Sequence, residues 1–187
     1  MTKIRRMKTD KQEIRISKFL SLVLRHKPET IGLRLDASGW TQTNELLEKL
    51  NSNDFEISIE DLKQVVANND KKRFQFSKDY SKIRASQGHS LKVDLALEEK
   101  TPPDLLYHGT AEKNLASIKK QGLLKGQRHH VHLSSDAATA RRVGMRYGKP
   151  VVLKVDSKRM IEEGVRFYQS ANGVWLAEHV PPECLNE

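Results

Sequence analysis

Near its middle the chain carries Glu98-Glu99-Lys100-Thr101-Pro102-Pro103-Asp104, a polar stretch with two adjacent prolines. A proline fixes φ and has no N–H, so neither a helix interior nor a central strand runs through such a segment. A chain of 187 residues is one large domain or two small ones. This segment makes two the natural reading, with residues 1–95 forming one lobe and residues 96–187 the other.

The flanks differ in periodicity. In the first half, Ile16, Phe19, Leu20, Val23 and Leu24 follow helical spacing and define one apolar face. Pro28 ends that helix, because the residue before a proline is pushed out of the α region. Gly39-Trp40 marks a turn. Thr43-Asn44 is expected to cap a helix with Leu46, Leu47 and Leu50 on its face, and Ser58-Ile59-Glu60-Asp61 reads as a capping box before Leu62, Val65 and Val66. Phe74 to Phe76 and Ile83 to Ala85 alternate on either side of a Lys78-Asp79 turn, which is the pattern of a β-hairpin. Three helices followed by a hairpin is the order of a winged-helix module, shared with other small α+β folds.

The second half is richer in strands. Leu105-Leu106-Tyr107, Val131-His132-Leu133 and the central run Val151 to Val155 read as strands. Leu115, Ile118 and Leu123 are placed on a helix ended by Gly122, and Ala137 to Val143 on a small-residue helix. Asn172-Gly173 between Phe167–Ala171 and Val174–Ala177 signals a hairpin. The expected class is α+β. Neither a G-x-G-x-x-G sequence nor a P-loop occurs, so any nucleotide held here is not held in a Rossmann or Walker manner.

No run of 18 apolar residues exists, so nothing is expected to span a membrane. The basic start, Met1 to Lys8, lacks a following apolar region and does not read as a secretory signal. A single cysteine, Cys184, excludes an internal disulfide and a cysteine-based zinc cluster, and makes the cytoplasm the default compartment. The net charge is +9, unevenly spread. Residues 113–159 hold twelve Lys/Arg against two Asp, whereas the tail from Met160 is acidic. A basic stripe favours a polyanion, nucleic acid first, although a solvated lysine-rich surface has the same composition.

Against this background a few residues stand out. Arg25-His26 lies where the first helix stops. A guanidinium grips two phosphate oxygens at once, and an imidazole passes protons near neutrality. The same pair also simply complements a helix C-terminus. Arg73, after Asp70-Lys71-Lys72, opens the hairpin or sits in a solvated basic turn. Gln87-Gly88-His89-Ser90 is either a close backbone approach to a ligand or only a turn. His108-Gly109-Thr110 joins an imidazole, a bare backbone and a hydroxyl, suited to a ribose and an amide. Arg146, between Gly144 and Gly148, is a deliberately placed guanidinium beside the more superficial Arg141 and Arg142. His129, His130 and His132 raise the question of a metal. Alternation puts His130 and His132 on one strand face without a nearby carboxylate or cysteine, so no metal is expected.

Taken in order, Leu20-Ser21-Leu22-Val23-Leu24-Arg25-His26-Lys27-Pro28, Lys72-Arg73-Phe74, Gln87-Gly88-His89-Ser90, Tyr107-His108-Gly109-Thr110, His130-Val131-His132-Leu133-Ser134 and Gly144-Met145-Arg146 resemble the NAD-dependent RNA 2′-phosphotransferases, often called tRNA 2′-phosphotransferases. The resemblance runs from about Ser17 to Leu176. It implies an N-terminal winged-helix RNA lobe and a C-terminal, β-rich lobe similar to the ADP-ribosyltransferases. It implies a phosphate-handling tetrad of Arg25, His26, Arg73 and Arg146, with NAD as co-substrate held by His108, Gly109, Thr110, His132 and Ser134, and no metal. The implied partner is an RNA carrying a 2′-phosphate; nothing in the sequence demands more than a monomer, and the cytoplasm is expected from the cysteine usage. Protein-modifying ADP-ribosyltransferases use a glutamate that has no counterpart near Asn172-Gly173-Val174-Trp175, which makes protein modification the lesser expectation. The competing readings are ADP-ribosylation of a nucleic-acid phosphate, a non-catalytic RNA-binding winged-helix protein, and a nuclease built on His26 and His89.

Overall fold

The computed structural model describes residues 10–69 and 71–187, so the basic segment before Asp10 and the expected role of Asp70 in the turn before Arg73 lie outside the described residues. The described residues form two compact units, one ending at Ala96 and the other spanning Leu97–Glu187. Both helix and sheet are present in a mixed, α+β arrangement.

The first unit is built on α1 (Asp10–Arg25). Ile16, Leu20, Val23 and Leu24 are fully buried, each at 0% exposure, as the apolar spacing requires. Burying one such side chain contributes roughly 1.5–3 kcal/mol. The helix stops at Arg25 and Pro28 opens a 3-10 turn, Pro28–Ile31. Asp36 closes the next turn by accepting from the Ser38 and Trp40 main-chain N–H groups. A two-residue strand, β1 (Thr41–Gln42), leads into α2 (Thr43–Asn51).

At α2 the expected cap is corrected. The cap residue is Gln42, with no side-chain hydrogen bond, and Thr43 is the first helical residue. Its hydroxyl instead donates to the Tyr80 carbonyl at 2.8 Å and its N–H to the Ser81 carbonyl at 2.8 Å, which ties the start of the helix to the hairpin turn. The capping box of α3 (Ile59–Ala67) is present as read, with Ser58 and Asp61 each satisfying the other's main-chain N–H. The hairpin β2 (Phe74–Phe76) and β3 (Lys82–Ala85) is antiparallel, and β1 pairs with β3 to complete a three-stranded sheet. The core packs α1, α2 and α3 against this sheet through Leu46, Leu50, Leu62, Phe74 and Ile83.

The second unit starts with β4 (Leu105–Ala111), which is longer than the apolar run suggests and includes His108, Gly109 and Thr110. After a 3-10 turn, Glu112–Asn114, come α4 (Leu115–Gln121) and β5 (Leu123–Leu124). Leu123 is therefore not on the helix. Gly122 does end α4, as expected, and at φ 72 it turns the chain so that Leu123 pairs with Val180 in a strand. There follow β6 (Val131–Leu133), α5 (Ala137–Gly144), β7 (Pro150–Asp156), α6 (Ser157–Glu162), β8 (Phe167–Gln169), β9 (Trp175–Ala177), β10 (His179–Val180) and β11 (Leu185–Asn186). The first sheet has the order β11-β7-β4 and the second β6-β9-β8, so β7 is central as read. The β8–β9 hairpin turns at Gly173, φ 78, where the Gly173 N–H donates to the Ser170 carbonyl. Tyr107 on β4 and Ser134 just after β6 exchange two main-chain hydrogen bonds of 2.8 Å, a single bridge that seams the two sheets together.

Candidate active site

In the first unit the end of α1, the approach to β2 and the segment after β3 converge. The Arg25 guanidinium donates through Nη2 to the Arg73 carbonyl at 3.3 Å and lies 5.9 Å from the centre of the Phe74 ring. Asn69 accepts at Oδ1 from the Arg73 main-chain N–H at 3.3 Å and from Arg73 Nη1 at 3.5 Å, while its own amide donates to Ser17 Oγ at 2.8 Å. Ser90 clamps the helix end. Its N–H donates to the Arg25 carbonyl at 3.0 Å, and its Oγ lies 3.0 Å from His26 Nδ1. Arg25, His26 and Arg73 are all half-buried, so each has both a supporting wall and an open side. Two guanidiniums brought to one place, with an imidazole beside them, are groups suited to an anion and to proton transfer. His89, the other histidine of this segment, is 1% exposed and packs toward Gly39, inside the unit rather than at its surface.

In the second unit the candidates gather at the seam between the sheets. His108 Nδ1 lies 3.0 Å from the His132 carbonyl. A carbonyl only accepts, so Nδ1 carries the hydrogen and Nε2 of the neutral ring is an acceptor. Burial pushes the His108 pKa down, opposed in part by that hydrogen bond, which keeps the ring neutral at pH 7. The ring thus offers one acceptor nitrogen of the kind that pairs with a ribose hydroxyl. Ser134 lies two residues beyond His132, just past β6, held by the Tyr107 bridge. Thr110 is buried, and its Oγ1 accepts from Asn114 Nδ2 at 3.2 Å.

Gly109 has a structural reason of its own. A Cβ there would overlap the Ala140 carbonyl oxygen and lie 2.9 Å from the Gly144 nitrogen. A Cβ on Gly144 would lie 2.6 Å from the Thr110 carbonyl oxygen. The space that a bare backbone leaves at Gly109 is filled by α5, which comes down on β4 main chain to main chain. That contact directs the end of α5 and so the start of Arg146, which is exposed just beyond Gly144, with its N–H on the Val143 carbonyl.

The surroundings of His130 are also corrected. Pairing of Val131 with Ala177 sets His130 opposite Glu178, so a carboxylate does stand nearby, supplied by the residue just after β9 rather than by the local sequence. Lys125 engages that carboxylate, and the His130 ring packs 5.6 Å from Tyr168. Burial lowers the His130 pKa. Among the described residues no group of three or more His, Cys, Asp or Glu is arranged to hold a metal ion, and no helix is long and apolar enough to cross a membrane. Asn69 and Asn114 are the supporting residues that sequence reasoning missed. The only signal for Asn69 is its place four residues before Arg73.

Comparison with known proteins shows the family that the resemblance named. Residues 11–179 match the profile of the family described as "RNA 2′-phosphotransferase, Tpt1 / KptA family". The chain is 55% identical over 175 residues to a "Probable RNA 2′-phosphotransferase" of Trichormus variabilis, covering 94% of this chain and 96% of that one. It is 51% identical over 174 residues to a protein of the same name from Fusobacterium nucleatum, covering 92% and 97%. It is 53% identical over 178 residues to another from Pseudomonas syringae pv. tomato, covering 95% of each.

Proposed function

This chain belongs to the RNA 2′-phosphotransferase, Tpt1 / KptA family, and on that premise we propose that it removes an RNA 2′-phosphate by transferring it to NAD. RNA 2′-phosphate transfer is the family's reaction; the use of NAD and the two steps below are our reading. The first unit is read as a winged-helix RNA lobe and the second as an ADP-ribosyltransferase-like lobe that takes NAD.

In the first step an oxygen of the RNA 2′-phosphate attacks the anomeric carbon of the nicotinamide ribose. The glycosidic C–N bond breaks, and its electron pair returns to the pyridinium ring, so nicotinamide leaves neutral. The attacking phosphate is already anionic and needs no general base. His108, neutral with Nε2 as acceptor, and Ser134 orient the ribose. Thr110 is buried and bonded to Asn114, so it supports this strand from within. In the second step the neighbouring ribose hydroxyl attacks phosphorus and the RNA 2′-oxygen departs. The hydroxyl proton has to be removed and the leaving oxygen protonated. His26 moves that proton, and Arg25, Arg73 and Arg146 neutralise charge on the phosphoryl oxygens. The products are RNA with a 2′-hydroxyl, nicotinamide and ADP-ribose 1″,2″-cyclic phosphate.

The observation that carries this reading is the meeting of Arg25 and His26, at the end of α1, with Arg73, from before β2, held by Asn69 and Ser90. The test is an RNA oligonucleotide with one internal 2′-phosphate, incubated with and without NAD and followed by mass. Loss of the phosphate only with NAD, with release of the cyclic product, is expected. A stable ADP-ribose adduct would stop the reaction at the first step and make the protein an ADP-ribosyltransferase of nucleic-acid phosphates. No change in mass would sink the transfer reading.

A further inference from the structure

α1 carries a second feature besides its last residue. A groove of about 570 Å³ runs along its flank, floored by Phe19, Leu22 and Phe55 and rimmed by Lys11, Arg15 and Lys18. Among the described residues no carboxylate lines it. Phe19 and Phe55 pack with ring centres 4.6 Å apart, and the Arg15 guanidinium lies 4.8 Å over the Phe55 ring. Ile14, at its edge, is 54% exposed, a large apolar side chain that the core does not use.

The groove and the candidate phosphate site share α1, which carries Lys11 and Lys18 at the one and Arg25 at the other. A helix turns about 100° and rises about 1.5 Å per residue, so positions seven apart return to nearly the same face about 10 Å further on. Lys11, Lys18 and Arg25 are spaced by sevens. They form one cationic stripe that ends at Arg25, with the apolar groove beside it. A partner that lies along this stripe needs regularly spaced negative charge and flat apolar faces. Single-stranded RNA has both, in its phosphates and its bases, and aromatic or guanidinium planes accept bases with little regard to sequence.

We propose that this groove is an extended RNA subsite, in which the nucleotides flanking the 2′-phosphate run from Arg25 along α1 toward Lys11, with phosphates on Lys18 and Lys11 and an unpaired base over the Phe19 floor. The proposal rests on RNA being the substrate, as argued above. It makes the enzyme a reader of unpaired flanking RNA as well as of the 2′-phosphate.

The test uses the full-length protein and fluorescent single-stranded RNA of three and twelve nucleotides, without a 2′-phosphate and without NAD, read by anisotropy. Wild type is expected to bind the twelve-mer at least tenfold more tightly than the trimer. Lys11→Glu/Lys18→Glu should narrow that ratio to below threefold and flatten the salt dependence for the twelve-mer by about 1.4 in log–log slope, at about 0.7 per lost phosphate contact. Lys78→Glu/Lys92→Glu makes the same change in net charge elsewhere on the unit and should keep the wild-type ratio. If Lys11→Glu/Lys18→Glu keeps it too, or if both variants narrow it equally, the proposal is overturned and the groove belongs to another partner or to none. The readout needs no catalysis. A protein inactive toward 2′-phosphates that still shows the length effect would sink the transfer reading alone, and an active one without the effect would sink this proposal alone.

Discussion

In the first unit Arg25, His26 and Arg73 are held by side chains and loop main chain drawn from far along the sequence, with Ser90 more than sixty residues from the helix end that it clamps. In the second unit His108, Thr110, His132 and Ser134 sit on or beside strands, and main-chain bonding sets their positions. The first arrangement is adjustable at single atoms: deleting one amide loosens one guanidinium. The second has little slack, since Gly109 and Gly144 bring α5 onto β4 with no room for a methyl group. Substitutions should therefore weaken the first unit in steps and the second all at once.

The largest effects are expected where the phosphate is handled. Arg25→Ala, Arg73→Ala and Arg146→Ala should each lower turnover about 10²–10³-fold, roughly 3–4 kcal/mol of lost transition-state stabilisation. Single-turnover kinetics on a 2′-phosphorylated RNA would check this, and a variant within threefold of wild type would remove that arginine from the role. His26→Ala should accumulate ADP-ribosylated RNA, visible by mass; ordinary second-step kinetics would assign the proton transfer elsewhere.

Gly109→Ala tests the lack of slack in the second unit. It should cost about 3 kcal/mol or more in denaturant unfolding, since the added carbon meets main chain rather than a yielding side chain. A cost below about 1 kcal/mol would show that α5 can slide on β4 and would erase the contrast drawn above. Asn69→Ala is the matching test in the first unit. About a tenfold loss in kcat/KM is expected, close to what one hydrogen bond to a charged group contributes. Unfolding free energy should change less than for Gly109→Ala. The reverse order would mean that Asn69 serves the fold before it serves Arg73.

The smallest effect concerns pH. Burial holds the His108 pKa below its ordinary value of 6.5. The unfolded chain therefore takes up a proton near pH 6.5 while the folded chain does not, so the contribution of His108 to stability is full above pH 6.5 and declines as pH falls toward the folded pKa. NMR titration should show a neutral ring with hydrogen on Nδ1 and a midpoint below 6.5. A midpoint above 6.5 would remove the acceptor role of Nε2.

Local chemistry was legible in the sequence wherever neighbours decide the outcome. Pro28 stops α1, Ser58 and Asp61 cap α3, and Asn172-Gly173 turns the β8–β9 hairpin. Features set by distant pairing were not. Thr43 looks like a cap until the hairpin turn supplies the Tyr80 and Ser81 carbonyls. Leu123 looks helical until Val180 pairs with it, and His130 seems to lack a carboxylate until β9 brings Glu178. In the candidate site the motif residues stood out by type, but Asn69 and Asn114, which support them, belong to no motif, and Asn69 is marked only by its spacing from Arg73. Gly109 was read as bare backbone open to a ligand, and its contact with the Ala140 carbonyl of α5 had no signal in the sequence.

Ser90 also bears on how the chain is made. Every buried member of the first unit's core lies between Ile16 and Ala85, so a nascent chain that has emerged as far as Ala85 holds all of that core before the residue that clamps Arg25 and His26 has been synthesised. Domains fold as units as they leave the ribosome, at roughly 5–20 residues per second. The interval between a stable nucleus and a finished helix end is then on the order of a second. A truncation just after Ala85 should accordingly fold but leave Arg25 and His26 without their clamp, so durability and reactivity reside in consecutive stretches of one polypeptide and can be altered one without the other.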